Sequence, residues 1–514
     1  MRRALALLLA GAALAGCTLE PKDLRPAPPI PGALPAGGDY PAAAPGAAPI
    51  SSVAWDAFFT DPRLKQVIAL ALRENRDLRV AALNVEAARA RYRVQRADLL
   101  PTVALAGNAT YGSSLFGGVG ATTPTGPGGA TGGTGVGSAG GVGGAAGGAG
   151  SVASGGSGFY RFYSVSLGFS SYELDLFGRI RSLTKEALQL YLATAEARRA
   201  TQVSLISEVA IDWLTLAADQ DRLAIARSTL ESFTESLRLT QARFDAGIVS
   251  ELDLRQVQTL AEGAASDIAT YTTQVSQDVN ALNLVVGASV DASLLPQGLG
   301  DGLPTVPEAP AGLDSAVLLR RPDVLQAERQ LRAYNADIGA ARAAFFPTIS
   351  LTASGGSTSL YLDRLFGSGT GTYSFSPNLT LPIFDYGRNR ANLKLSRTNR
   401  EIALAQYERA IQTAFRETAD ALAQQGQVAA LVGAQTRLVQ SGETTLRLSD
   451  ARYRRGADAY LGVLDAQRTV YAARQTLVAA RQTRAATLVQ IYRALGGGGD
   501  TPQPQVIPGS GEAR

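Results

Sequence analysis

Hydrophobic residues recur at every seventh position in two stretches of the chain. Val209, Leu216, Leu223, Leu230, Leu237 and Phe244 stand in strict register, and Val432, Val439, Leu446 and Tyr453 form a weaker second series. Such spacing predicts a coiled-coil seam. Proline is absent from Gly128 to Leu295 and again from Ile383 to Thr501, and both stretches are rich in good helix formers. A helix from Gly178 to Ala246 is predicted, about 100 Å long at ~1.5 Å per residue. Shorter helices fit Leu64–Leu99 and Pro322–Phe345, the latter with proline in its first turn. Each long helical stretch breaks once, at Asp245-Ala246-Gly247-Ile248-Val249-Ser250-Glu251 and at Arg454-Arg455-Gly456-Ala457-Asp458-Ala459. Glycine ending one helix, with Ser250 or Asp458 as N-cap of the next, predicts a tight turn and a returning helix.

Elsewhere the period is two. Val103, Leu105 and Tyr111 alternate with small residues after Pro101, and Phe162, Val165, Leu167 and Phe169 follow a Gly-rich tract. Ile349 and Leu351 follow Pro347, and Tyr373, Phe375, Leu379, Leu381 and Ile383 precede Asp385. These are four strands of about ten residues, the length of membrane β-strands. Phe159, Tyr160, Phe345, Phe346, Tyr361, Phe384 and Tyr386 cluster near their ends, as an interfacial aromatic belt would. Four strands leave two open edges, which lipid does not tolerate, and the smallest closed barrels need ~8 strands. Several chains must then share one barrel.

The chain is also written twice. Phe177-Gly178-Arg179 recurs as Tyr386-Gly387-Arg388, Arg243-Phe244 as Arg452-Tyr453, and Val286-Gly287 as Leu495-Gly496, each 209 residues on. Arg76-Asp77-Leu78 recurs as Pro322-Asp323-Val324, and Leu100-Pro101 as Phe346-Pro347, 246 residues on. The 37-residue difference locates an insertion in the first copy, in the Gly-rich tract 117–158. The expected organisation is a signal at 1–16, a tether at 17–52, a first repeat at 53–287, an inter-repeat segment at 288–321, a second repeat at 322–496 and a disordered tail at 497–514. Gly135-Val136-Gly137-Ser138-Ala139-Gly140 fits a dinucleotide fingerprint but follows no strand and opens no helix. A flexible hairpin loop on the outer side of the barrel is expected there instead.

Composition removes most chemistry. Histidine is absent and Cys17 is the sole cysteine, so His-dependent catalysis, Cys/His metal clusters and intrachain disulfides are excluded. Without Arg2 and Arg3, 46 basic residues stand against 44 acidic ones with no basic stripe, so nucleic acid is not an expected partner. No cofactor, metal or catalytic site is expected. Met1-Arg2-Arg3, a short apolar run from Ala4 to Ala15, and Leu14-Ala15-Gly16-Cys17 resemble a bacterial lipobox. That resemblance implies cleavage before Cys17 and acylation of that cysteine as the new N-terminus. Thr18 follows where an inner-membrane retention signal would place Asp, and nine prolines in residues 18–52 describe an extended tether without a core of its own.

The runs Leu318-Leu319-Arg320-Arg321-Pro322-Asp323-Val324 and Phe345-Phe346-Pro347-Thr348-Ile349-Ser350-Leu351, with Trp55, Asp61, Leu64, Asn75 and Asp77-Leu78, stand out as motifs. Together they resemble the outer-membrane factor lipoproteins of tripartite efflux pumps, the TolC-like or OprM/NodT-type channels. Arg452-Tyr453-Arg454, Gly456 and Leu464-Asp465-Ala466-Gln467-Arg468 complete the likeness, which covers about residues 50 to 497 and omits the Gly-rich insertion. The resemblance implies an α+β membrane protein: a homotrimer whose four strands per chain close a twelve-stranded barrel that continues as a periplasmic α-helical coiled-coil barrel. Its implied partners are outer-membrane lipid, a periplasmic membrane-fusion adaptor and an inner-membrane efflux transporter, and its implied role is a passive export duct of the outer membrane. A trimeric coiled-coil adhesin or structural lipoprotein is the alternative, and no enzyme is expected.

The same resemblance turns the face bearing Leu446 and Asp450 into the closed periplasmic end. Four residues apart, the two stack on one helix face. Threefold symmetry implies a Leu446 ring that blocks hydrated solutes by dewetting and an Asp450 ring that favours cations. Leu237 and Gln241 hold the equivalent places in the first copy, and Arg452 and Arg454 are candidates to latch the hairpins by charged pairs. Gly247, Ile248, Val249 and Ser250, with Gly456, Ala457, Asp458 and Ala459, are the expected adaptor contacts.

Overall fold

The computed structural model describes residues 19–22, 26–38, 40, 54–113, 159–300 and 314–497, without the side chains of Phe159 and Tyr160. The expected signal, the acylation at Cys17, the Gly-rich insertion and the tail beyond 497 lie outside these residues. Internal contacts gather the chain into two units. One holds the described parts of Met1–Asp23, Ala90–Leu188 and Ala333–Arg400, the other those of Leu24–Arg89, Gln189–Arg332 and Glu401–Arg514.

The element order is α1 (Trp55–Phe58), α2 (Pro62–Glu74), α3 (Arg76–Ala97), β1 (Ala104–Ser113), β2 (Phe159–Leu174), α4 (Arg179–Asp245), α5 (Glu251–Val286), α6 (Pro322–Ala343), β3 (Thr348–Ser359), β4 (Gly371–Thr380), α7 (Arg388–Arg454) and α8 (Leu461–Ala494). No described helix is long and apolar enough to cross a membrane.

In the first unit the strands form one antiparallel sheet in the order β1-β2-β3-β4, so β1 and β4 each keep an unpaired edge. Alternation sorts its faces. Leu105 and Tyr111, Tyr163, Val165 and Leu167, Leu351, and Phe375 and Leu379 share one face. Asn108, Thr110, Ser164, Ser166, Ser354, Ser374 and Ser376 share the other. β2 is longer than expected and carries a bulge between Phe169 and Tyr172, with Ser171 at φ 55°. The extra residue reverses the parity, so that Tyr172 and Leu174 stand opposite Leu351 and Ile349 on the apolar face. Where helices begin below the sheet, Phe177 stacks on Phe346 at 4.7 Å, and Phe384 lies 4.6 Å from Tyr386.

The tether is not free of the body. In the first unit, Asn335 and Arg342 of α6 donate to the carbonyls of Pro21 and Leu19, and Lys185 of α4 pairs with Glu20 at 2.7 Å. Gly339 leaves room for this strap, because a Cβ there would stand 3.2 Å from Glu20 Cα and 2.7 Å from Ser182 Oγ. In the second unit the Ser315 hydroxyl donates to Pro31 O at 2.6 Å, and Leu34 is buried.

Of the heptad residues, Leu230, Leu237, Val432 and Val439 pack inside two helical hairpins. Phe233, Leu230 and Leu237 of α4 meet Leu260, Ala261 and Ala264 of α5, and Val432 and Val439 of α7 meet Ala473 and Leu477 of α8. One predicted helix is broken: Leu64–Leu99 divides at Asn75, whose backbone is extended at ψ 131°. The buried Asn75 side chain accepts from Leu78 N and donates to Val285 O, both at 2.7 Å. Its repeat equivalent is Arg321, which donates to the equivalent carbonyl of Ala494, also at 2.7 Å. Both repeats therefore pin the start of a short helix to the end of their own hairpin. Beside each pin a left-handed glycine, Gly287 at φ 80° or Gly496 at φ 91°, closes the last helix. A Cβ on Gly287 would lie 2.6 Å from Glu74 O, so only glycine fits.

Candidate functional site

The two hairpin tips, both in the second unit, are built alike. Gly247 and Gly456 both adopt φ 72°. Gly247 N donates to Phe244 O and Ile248 N to Arg243 O, each at 2.8 Å. Gly456 N and Ala457 N repeat this at 2.9 and 3.0 Å to Tyr453 O and Arg452 O. This paired closure is the Schellman turn, and it places one residue of each tip in the left-handed region. No heavy atom lies within 4 Å of a Cβ on either glycine, so backbone strain alone selects glycine there.

The returning helices start differently. Ser250 accepts from Asp253 N at 3.2 Å while the Asp253 carboxylate accepts from Ser250 N, a full capping box. At the second tip the N-cap is Tyr460, and no side chain caps it. The expected cap, Asp458, instead takes a two-armed ion pair from Arg452, with the Nη2–Oδ1 arm at 2.9 Å. A fork that matches both carboxylate oxygens outcompetes a single backbone N–H. That hydrogen bond also holds the Asp458 carboxyl below its usual range.

The tips present apolar surface outward. Ile248, Leu252 and Leu461 are exposed, at 72%, 66% and 52%. Val249 is half-buried, and Ala457 and Ala459 are exposed.

Among the expected gate residues, Leu446 and Asp450 are half-buried on α7. Asp450 pairs with Arg454 one turn on, at 2.9 Å, so its carboxylate is locally compensated. Leu237 packs on Phe233, Ala261 and Ala264 in the hairpin seam. Gln241 donates to Asp245 at 2.8 Å. Arg452 and Arg454, the expected latch, each pair within their own hairpin in the single chain, with Asp458 and with Asp450.

The tie between the tips comes from a residue the sequence reading passed over. Arg243, at the end of α4, holds its guanidinium 5.3 Å from the Tyr453 ring centroid and donates to the Tyr453 hydroxyl. Tyr453 in turn lies 4.7 Å from the Tyr460 ring. The recurrence of Arg243-Phe244 as Arg452-Tyr453 was the available signal, since it places an aromatic ring with a hydroxyl beside the first tip's arginine.

Farther along the hairpins, side chains of α8 continue the tie. The Tyr471 hydroxyl donates to Asp267 at 2.7 Å, Gln475 reaches Arg222 O at 3.4 Å, and Gln482 bonds both Arg222 and Thr215 at 3.1 Å. Within the second hairpin an apolar cluster is accompanied by the Arg474–Glu443 pair at 2.6 Å, whereas these contacts between hairpins are polar. Burial, with Glu208 nearby, pushes the Asp212 carboxyl up to about 6. Burial and a hydrogen bond with Asp219 do the same for Asp278, also to about 6. Among the described residues no group of His, Cys, Asp or Glu is arranged to hold a metal ion.

The model of the family described as outer membrane efflux protein matches residues 67–288 and 313–497. The toluene efflux pump outer membrane protein TtgC of Pseudomonas putida is 41% identical over 499 residues, 96% of this chain and 95% of that protein. A crystal structure of a membrane protein from Pseudomonas aeruginosa is 38% identical with a TM-score of 0.82, covering 96% of this chain and 100% of that one. The open state of the Neisseria gonorrhoeae MtrE outer membrane channel is 34% identical with a TM-score of 0.80, covering 94% of this chain and 98% of that one.

Proposed function

The chain belongs to the outer membrane efflux protein family, and from that premise we propose that it is the homotrimeric export duct of a tripartite pump. Three four-stranded sheets close one barrel in the outer membrane, its rim marked by the aromatic pairs at Phe177, Phe346, Phe384 and Tyr386. The helical hairpins line the periplasmic passage. A lipid on Cys17 adds a second anchor. The duct has no catalysis of its own; an inner-membrane transporter supplies the energy. The substrate class follows that transporter, and the toluene in TtgC's name belongs to that relative, not to this chain.

The observation that carries this reading is the sheet with two unpaired edges. A row of unsatisfied N–H and C=O groups is untenable in hydrocarbon, so other copies must complete the sheet. The tips supply the control. Three copies of Leu446 narrow the aperture, and the paired Asp450 and Arg454 line its wall. Leu237 acts by stiffening the hairpin beside it. The exposed Gly247–Ser250 and Gly456–Ala459 turns receive a periplasmic adaptor, with Ile248 as its apolar anchor. Adaptor contact splays the hairpins once the Arg243–Tyr453 tie yields.

Single-channel recording of the purified protein in a planar bilayer tests the reading. A narrow, mostly closed, weakly cation-selective channel is expected. The double variant Leu446→Ala, Asp450→Ala should conduct more and select less. A double variant with the wild-type conductance and ion preference moves the aperture elsewhere, and a protein without conductance removes the duct.

A further inference from the structure

Charge in the sheet is confined to its two ends. From Leu99 to Tyr172 the only charged residue is Arg161, and from Ala343 to Phe384 the only ones are Asp363 and Arg364. The long helices leave the sheet at its lower end, where Glu173 pairs with Arg179 at 2.6 Å. Arg161, the third residue of β2, stands at the opposite end. Twelve residues separate it from Glu173. That is about 40 Å along a strand at ~3.4 Å per residue, and about 30 Å across a bilayer at a tilt of ~40°. The hydrocarbon layer is about 30 Å thick. The two charges therefore bracket the apolar band, with Arg161 at the level of the outer headgroups.

Alternation fixes the face. Arg161 stands directly opposite Tyr111 and two residues from Tyr163, so it belongs to the apolar face of Leu105, Val165 and Leu167. In a closed barrel that face meets lipid, and the face of Asn108, Ser164 and Ser166 lines the passage. We propose that Arg161 is the centre of a notch that binds the phosphomonoester headgroup of an outer-leaflet lipid; this rests on the barrel reading above.

The surroundings of Arg161 fit that ligand. Among the described residues its guanidinium has no carboxylate partner. Asp363, the one acid at this end, makes no ion pair among them either. The Tyr163 hydroxyl donates to the Tyr111 hydroxyl at 3.1 Å, which leaves the exposed Tyr111 its own O–H to donate outward. The last rung between β2 and β3 sets Tyr163 opposite Ser359, and Tyr361 follows two residues on, as Arg161 precedes Tyr163 by two. Arg364 holds its guanidinium 5.7 Å from the Tyr361 ring centroid, so a second cation stands at the same end of the sheet. A guanidinium fork matches two oxygens of one phosphate, and a tyrosine hydroxyl serves a third. A phosphomonoester carries nearly two charges at neutral pH, which two arginines match better than the single charge of a phosphodiester. Below the notch the exposed Leu105 and Leu167 offer the acyl chains an apolar wall, and Leu360, Leu362 and Phe366 are exposed in the turn after β3. A lipid-facing arginine is tolerated at the interface and is costly at mid-depth, which agrees with its place at the strand end.

Native mass spectrometry of the full-length protein in mild detergent tests the notch by counting bound lipids. The probes are bis-phosphorylated lipid A and the same lipid after phosphatase treatment. The phosphorylated form should bind about tenfold tighter, and Arg161→Gln should abolish that difference, as expected for the loss of a charge-assisted fork. Arg161→Lys should recover part of it, because an ammonium is a point charge. Arg320→Gln, at an exposed arginine of the second unit, should bind as the parent does. Equal binding of the two lipids, or parental affinity in Arg161→Gln, overturns the notch. Inorganic phosphate that displaces lipid A as readily as lipid A itself would assign the site to free phosphate and overturn the lipid. Phosphatidylglycerol that binds as tightly as lipid A overturns the phosphomonoester. Planar-bilayer recording on the same samples separates the two readings. A conducting channel without the lipid preference overturns the notch alone, and a parent protein without conductance overturns the barrel as well.

Discussion

On the proposed reading the Arg243–Tyr453 tie sets how firmly the tips stay closed, and its strength follows from its two parts. The guanidinium faces the Tyr453 ring at 5.3 Å and donates to its hydroxyl. A cation–π contact at an exposed site contributes about 0.5–1 kcal/mol. The hydrogen bond to the hydroxyl adds about 1 kcal/mol after exchange with water. Tyr453→Phe removes only the hydrogen bond. One such loss shifts a closed–open equilibrium about fivefold, and three, released together in a trimer, shift it by about two orders of magnitude. Arg243→Ala removes both parts and should shift it further. The assay is open probability in a planar bilayer, with the unitary conductance of the open state as control. Both variants should open more often at unchanged open-state conductance. Should Tyr453→Phe and Arg243→Ala keep the closed dwell times of the parent, the tie is incidental and the closed state is held elsewhere.

Two other outcomes follow from buried charge. Arg321→Ala leaves Asp323, Glu417 and the Ala494 carbonyl without the fork that now joins them at 2.7–2.8 Å; the two carboxylates are 43% and 39% exposed and water screens them, so the loss is roughly 1–3 kcal/mol. The melting temperature of the purified protein should fall sharply, and Arg321→Lys should not restore it, since an ammonium cannot serve three acceptors in that geometry; a melting point equal to the parent's would show that the triad does not hold the fold. Asp212 titrates near 6 in the folded chain and lower when unfolded, because burial penalises its charge. The folded state thus binds the proton more tightly, so this group's contribution worsens as pH rises through 6 and recovers as pH falls toward its ordinary value. Asp212→Asn should accordingly raise the melting temperature at pH 7.5 and leave it unchanged at pH 4, and an equal effect at both pH values would point to packing instead of charge.

The long helices, the four strands and the turns between hairpin arms were legible because each is a local signal repeated many times. Heptads, period-two alternation and a glycine at a left-handed position do not depend on distant residues. What escaped was set by single contacts between distant segments. Asn75 divides a helix that composition would run through, because its side chain is occupied by Leu78 N and Val285 O. The β2 bulge is one residue in a strand whose alternation looks unbroken until its partner is known. At the tips, Arg452 and Arg454 pair inside their own hairpin within one chain, and the contact between hairpins is made by Arg243 and an aromatic hydroxyl. The duplication narrows this gap, because each long-range contact found in one repeat is a statement about the other. Asn75 on Val285 and Arg321 on Ala494 show the rule at work: different side chains make the same backbone contact at equivalent places. An uncharged amide suffices in the first repeat. In the second, the buried guanidinium also gathers Asp323 and Glu417, which ties α6 to α7 as well as to the end of α8. A buried charge needs such partners, and an amide does not. The second repeat should therefore be the more rigid of the two at this pin, and the first the one able to shift when the hairpin tips part.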